Sequence, residues 1–197
     1  MAFFHAGEFL RPGAGFPGRD QQVAKRLALA KREQVFELGL GDDDLTALGR
    51  EVVQRGFTAL KTNIVIPGDP ADVYSPGFAN DGTGADGTVS AQTLNQVEKL
   101  IGTFREAVGP DVGIALDLNY NFRTDGAQRI AKLLEQFNMQ WVEYDNWDPV
   151  ALRQIKDSTS TPIASCESLV STKQYRPFLE MHAMDVCIID LPWNGLI

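Results

Sequence analysis

Three carboxylates stand where apolar runs end: Asp117 in "VGIALDL", Glu143 in "QWVEY" and Glu167 after "PIASC". A fourth, Asp190, closes "DVCIID". Successive members of this series lie 26, 24 and 23 residues apart, the length of one strand with its crossover helix. Carboxylates gathered at one mouth repel and desolvate one another at a cost of several kcal/mol unless a cation neutralises them. Oxygen-only ligands select a hard ion, Mg²⁺ first and Mn²⁺ as the alternative. Asp117, Glu143 and Glu167 are therefore candidate metal ligands. For any one strand-end acid taken alone, a helix cap or a solvated loop residue is the better reading, and it is the recurrence that shifts the balance.

The elements that carry these acids alternate regularly. "DDDLTALGREVVQR" repeats Leu45, Leu48, Val52 and Val53 at helical spacing behind an Asp cap, and the β-rich "GFTALKTNIVI" (56–66) follows it. Four further helices lead to strands in the same way. "SAQTLNQVEKLIGTFREAV" precedes "VGIALDL", "GAQRIAKLLEQF" precedes "MQWVEY", "DPVALRQIKDS" precedes "PIASCE", and "KQYRPFLEMH" precedes "DVCIID". Asp148 and Pro149 form a cap and first-turn pair for the helix at "DPVALRQIKDS". Such alternation implies a parallel α/β sheet, either doubly wound or a (β/α) barrel. Functional groups at the carboxyl ends of several strands favour the barrel, and "RPGAGFPG" (11–18) lacks the spacing of a phosphate-binding loop.

Composition narrows the function. The chain has 197 residues, 44% hydrophobic and 22% charged, as in an ordinary globular domain, and one domain is the expectation. A net charge of -8 without a concentrated basic surface argues against nucleic acid and suits a cation. No apolar run reaches the roughly 20 residues of a membrane span, and the first residues lack a secretory leader, so a cytoplasmic protein without a membrane partner is expected. Cys166 and Cys187 sit in apolar runs and read as reduced buried thiols.

Taken in order, Lys61-Thr62-Asn63, Asp117-Leu118-Asn119, Glu143, Glu167, and Asp190 before "PWNG" resemble the barrel of the mandelate racemase and muconate lactonizing enzyme group of the enolase superfamily, over roughly residues 42–197. The resemblance implies Mg²⁺ on Asp117, Glu143 and Glu167, binding a small-molecule carboxylate substrate, a sugar acid. A base then removes the proton next to that carboxylate and the ion stabilises the enediolate. It also implies Asp190 as the partner of an acid/base histidine on the following strand, with catalytic and substrate-binding roles for Lys61. Asn63 and Asn119 are substrate-binding candidates. The expected activity is that of an acid-sugar dehydratase, or of a racemase or cycloisomerase, in a homo-oligomeric full-length form.

Several residues depart from the pattern. Asn63 replaces the second lysine of Lys-X-Lys, and an amide takes up no proton at neutral pH. Tyr144-Asp145 replaces Glu-Pro after Glu143, with Asp145 a candidate to stand behind the metal ligands. Counting "MAFFHAGEF" as a first strand gives about six strands of eight, so the expected fold is an incomplete barrel over 1–197 with no N-terminal capping domain. Residues 1–41 supply the first strand and an insertion, and 42–197 supply the core βα units. Without the later strands, exposed sheet edges favour assembly. Of the two histidines, His5 ends the first strand and is a substrate-binding candidate, while His182 reads as a surface residue. "RDQQVAKRLALAKREQV" (19–35) reads as a surface helix and "SPGFANDGTGADGT" (75–88) as a rim loop. The alternative to an enzyme is a catalytically inactive or partner-dependent barrel that binds metal or an acidic metabolite without turnover.

Overall fold

The computed structural model describes residues 3–5, 41–66, 72–74 and 87–194. The chain divides into two compact units, one running through residues 1–74 and 95–116, the other through 75–94 and 117–197. The expected surface helix at 19–35, the segment 11–18 and nearly all of the rim loop lie outside the described residues.

In the first unit, strand β1 (Phe3–His5) pairs in parallel with β2 (Ala59–Asn63), in a register that sets Phe3 opposite Ala59 and His5 opposite Lys61. Helix α1 (Asp42–Gln54) precedes β2, and α2 (Ala91–Val108), which joins this unit from residue 95, precedes β5 (Gly113–Asp117). The Gly113 N–H donates to the Thr58 carbonyl at 3.0 Å, which begins the pairing of β5 with β2. Leu45, Leu48 and Val52 of α1, Val97, Leu100, Ile101 and Phe104 of α2, and Leu60, Ile114 and Leu116 of the strands are all buried. Each such side chain contributes roughly 1.5–3 kcal/mol by leaving water. Gly49 is required where α1 meets α2, because a Cβ there would stand 2.6 Å from that of Ala107.

Two local expectations are corrected in this unit. The cap of α1 is Gly41, not an Asp; Asp42, Asp43 and Asp44 all lie in the first turn, and the Asp44 carboxylate accepts the Gly41 N–H at 2.8 Å. Acids at that end complement the positive pole of the helix. The run 56–66 is also not one strand. It breaks at Ile64, and β3 (Val65–Ile66) turns back against β4 (Asp72–Val73) as an antiparallel pair.

In the second unit, α3 (Thr124–Leu133) tightens into a 3₁₀ turn (Leu134–Phe137) before β6 (Trp141–Glu143). Then come α4 (Pro149–Asp157), β7 (Ile163–Ser165), α5 (Ser171–Glu180), β8 (Val186–Cys187) and α6 (Leu191–Asn194). Strands β6, β7 and β8 pair in parallel in that order, with Glu143 opposite Ala164 and Ser165 opposite Cys187. Ile130 and Leu134, Leu152 and Ile155, Ile163 and Phe178 bury the inner faces of helices and strands. Asp148 caps α4 as the sequence predicts, its carboxylate accepting the Val150 N–H at 2.8 Å, with Pro149 in the first turn. Among the described residues no helix is long and apolar enough to cross a membrane.

Candidate functional site

Asp117 is the last residue of β5 and Glu143 the last of β6. The two ends are joined, since the Leu118 N–H donates to the Glu143 carbonyl at 2.9 Å. Directly after Asp117 the chain turns at Asn119, which takes φ 52 and donates its N–H to the Asp117 carboxylate at 2.8 Å. Asparagine tolerates this left-handed conformation better than most residues. Asp117 and Asn119 are half-buried, while Glu143 is 1% exposed, so its carboxylate lies out of bulk water. Tyr144 fixes the chain beyond it by donating from its hydroxyl to the Phe122 carbonyl at 2.6 Å, and burial raises the pKa of this phenol.

The next two acids stand past their strands rather than on them. β7 stops at Ser165 because Cys166 adopts φ 88, a conformation no strand accommodates, and half-buried Glu167 follows in the turn closed by the Leu169 N–H and the Cys166 carbonyl. β8 stops at Cys187, and half-buried Asp190 lies at the entrance of α6. There its carbonyl accepts both the N–H and the side-chain amide of Asn194. Asn194 also reaches the Leu169 carbonyl at 3.2 Å and the Tyr175 hydroxyl at 3.2 Å, so this one side chain ties the Asp190 end to the turn that follows Glu167.

Asp145 supports the Glu167 turn. It is 8% exposed, and its Oδ1 accepts the Cys166 N–H at 3.1 Å and lies 3.5 Å from the Ser165 hydroxyl. A carboxylate accepting a buried backbone N–H is a strong tie, and here it holds the residue immediately before Glu167. Behind it, Cys166 Sγ lies 3.9 Å from Met184 Sδ and beside Cys187, and both cysteines are free thiols. Burial, with Cys187 adding to it, pushes the Cys166 thiol up to about 12, so it is an inert thiol at neutral pH.

Lys61 and Asn63 occupy alternate positions of β2, both half-buried, around the buried Thr62. His5 stands opposite Lys61 in register, and its side chain lies outside the described residues. His182 is exposed in the turn after α5, as read from the sequence. Two features escaped the sequence reading: the positive φ of Cys166, and Tyr120, whose phenol pKa is raised by burial and by the charges of Asp145 and Glu167, against a hydrogen bond from Ser168. A non-glycine residue at positive φ is invisible to periodicity, and an aromatic one step beyond a motif carries no spacing signal.

The chemistry of the donor set fits a hard divalent cation: Asp117 and Glu143 on hydrogen-bonded neighbouring ends, Glu167 at the next end, all oxygen donors, one fully buried. Among the described residues no group of three or more His, Cys, Asp and Glu side chains is placed so that it could hold a metal ion.

The chain matches the model of the enolase C-terminal domain-like family over residues 44–197. D-gluconate dehydratase of Thermoproteus tenax is 29% identical over 139 residues, covering 70% of this chain and 24% of that protein. D-xylonate dehydratase of Haloferax volcanii is 28% identical over 153 residues, covering 74% of this chain and 34% of that protein. Among solved structures, a candidate L-alanine-DL-glutamate epimerase from Burkholderia xenovorans strain LB400, bound to magnesium and fumarate, superposes with a TM-score of 0.74 at 35% identity, over 78% of this chain and 38% of that one. A mandelate racemase/muconate lactonizing enzyme-like protein from Rubrobacter xylanophilus gives 0.68 at 28% identity, over 85% and 41%. The chain thus spans a quarter to about two fifths of the relatives it matches. Its fold class is α/β, with the parallel strands and crossover helices of the TIM-type barrel, and the chain belongs to the enolase C-terminal domain-like family.

Proposed function

We propose that this chain is the metal-bearing part of an enzyme that removes the proton next to a carboxylate, as a sugar-acid dehydratase or racemase does. The observation that carries the reading is the pairing of Asp117 with buried Glu143 on joined strand ends, with Glu167 at the next. Support comes from relatives named for sugar-acid dehydration and from the neighbour bound to magnesium and fumarate. Asp117, Glu143 and Glu167 would hold Mg²⁺, which supplies charge neutralisation as negative charge grows on the substrate carboxylate. Burial of Glu143 excludes water and strengthens that electrostatic effect. Lys61 and Asn119 are the candidates to bind the substrate carboxylate and hydroxyls, Asn63 to donate an amide hydrogen bond, and His5 to contact substrate. Asp190 is the candidate to orient an acid/base partner.

Asn63 favours a second reading, in which the chain binds a cation or acidic metabolite without turnover, because an amide at this position accepts no proton. The experiment separates the two. Mg²⁺ calorimetry on the 197-residue chain and on the triple variant Asp117→Asn, Glu143→Gln, Glu167→Gln should show binding in the first and none in the second. Equal binding in both would sink the metal assignment. Deuterium incorporation from D₂O next to the carboxylate of gluconate, xylonate or galactarate, lost in Asp190→Asn, supports catalysis. Cation binding with no exchange into any of the three acids supports the second reading.

A further inference from the structure

Asn194 is the last residue of the short helix α6 and directs its side-chain amide mainly at α5 and the turn before it. Its Oδ1 accepts the Ser171 N–H at 3.0 Å, across 23 residues of chain. Its Nδ2 lies 3.2 Å from the Leu169 carbonyl, 3.2 Å from the Tyr175 hydroxyl and 3.0 Å from the Asp190 carbonyl. The backbone N–H of Asn194 donates to that same Asp190 carbonyl at 3.1 Å. One half-buried residue thus joins the turn that follows Glu167, the first turn of α5 and the residue that precedes α6.

Helix α5 begins without a cap of its own, because Val170 stands at the cap position and its apolar side chain offers no acceptor to the first amides. Ser171 follows at φ 70, a left-handed conformation that persists in a residue with a side chain only where its surroundings fix it. The Asn194 oxygen supplies the acceptor from outside the helix. An amide is the group these partners require: it carries acceptor lone pairs at one end and two N–H donors at the other, and facing it are one N–H and three oxygens. The Tyr175 hydroxyl gives its own proton to the Leu169 carbonyl at 2.8 Å, so it meets Asn194 as an acceptor. Reversing the amide would set N–H against N–H and oxygen against oxygen, and a carboxylate would set an oxygen against all three acceptors.

We propose that Asn194 is a positioning residue: it caps α5 from a distant element and binds the turn that follows Glu167 to the chain at Asp190, so that the two acids keep a fixed separation. The consequence for the site rests on the reading of Glu167 as a metal ligand and of Asp190 as an orienting acid, whereas the cap and the tie stand without it.

The test uses two variants of the 197-residue chain: Asn194→Ala removes the amide, and Asn194→Asp keeps its size and the acceptor for Ser171 while losing the donors. Without metal, amide hydrogen exchange at Leu169, at Ser171 and at position 194 should accelerate together several-fold in Asn194→Ala. In Asn194→Asp, Leu169 and position 194 should accelerate while Ser171 stays protected. Adding Val170→Ser to Asn194→Ala gives α5 a cap residue of its own at an exposed position with extended backbone, which should restore the melting temperature. It should restore neither the protection of Leu169 nor the Mg²⁺ affinity, which calorimetry should find several-fold below that of the parent in both chains. Acceleration confined to position 194 overturns the tie. Recovery of every exchange rate and of Mg²⁺ affinity by Val170→Ser would make Asn194 a helix cap alone and overturn the positioning role, as would an unchanged affinity in Asn194→Ala. If the parent chain binds no Mg²⁺, the metal reading falls and the consequence for Glu167 falls with it, while the exchange pattern still decides whether Asn194 joins the two ends.

Discussion

The Asp145 carboxylate accepts the backbone N–H of Cys166 at 3.1 Å, so the residue that stands two places after Glu143 fixes the residue immediately before Glu167. One buried acid thereby sets the spacing of two others. Removing it leaves a buried N–H without its acceptor, which costs about 1–3 kcal/mol. Asp145→Ala should lower the unfolding free energy by that amount in a urea titration and weaken Mg²⁺ binding. Asp145→Asn, which keeps a carbonyl acceptor, should lose less than half as much. Equal losses in the two variants would mean that the charge of Asp145, not its acceptor geometry, matters.

Glu143 predicts an opposite sign for stability and binding. An ionised carboxylate 1% exposed is costly to keep from water, and on the proposed reading a bound cation would repay that cost. Glu143→Gln should therefore raise the melting temperature of the metal-free chain by roughly 2–4 °C, the shift produced by about 1 kcal/mol in a chain of this size. The same change should abolish the further rise that millimolar Mg²⁺ gives the parent. Differential scanning calorimetry with and without Mg²⁺ reads both, and a fall in metal-free stability would argue for a structural role of the charge.

Much of this site is legible in the sequence because its spacing repeats a physical unit. Asp117 and Glu143 end strands whose apolar runs and preceding helices are plain, and the Asp148-Pro149 start of α4 follows from cap chemistry alone. Glu167 and Asp190 are legible as positions in that rhythm, yet they stand beyond their strands, since nothing in the identity of Cys166 announces a φ of 88. The two-residue strands β3 and β4 are too short to show alternation. Gly41 replaces an Asp as cap because three consecutive acids give no sign of which one the helix includes. Tyr120 is hidden for a different reason: the charges that act on its phenol, Asp145 and Glu167, lie about 25 and 47 residues later in the chain.

The backbone of Cys166 makes a prediction by itself. At φ 88 a side chain is strained, a β-branched one most of all, and glycine is not. Cys166→Val should destabilise by about 2 kcal/mol or more, combining strain with crowding beside Met184 and Cys187. Cys166→Gly should come closer to the parent, because relief of strain offsets the lost packing of a small thiol. Chemical denaturation of the two variants checks the order, and Gly less stable than Val would refute the strained conformation.

The same thiol gives the chain a pH dependence of known sign. Burial raises its pKa from 9.0 to about 12, so the folded chain retains a proton that the unfolded chain releases. That contribution to stability is complete below about pH 9 and disappears as pH climbs towards 12, with a slope of at most about 1.4 kcal/mol per pH unit. Cys187 and Tyr144 are shifted in the same direction, so the parent's decline alone does not identify Cys166. The difference between the parent and Cys166→Ala isolates it. Unfolding free energies of the two chains, measured in urea from pH 8 to pH 11, should converge as pH rises, because only the parent loses the Cys166 term. A difference that stays constant across that range would show that the thiol titrates alike in both states and is not held in the apolar setting beside Met184 and Cys187.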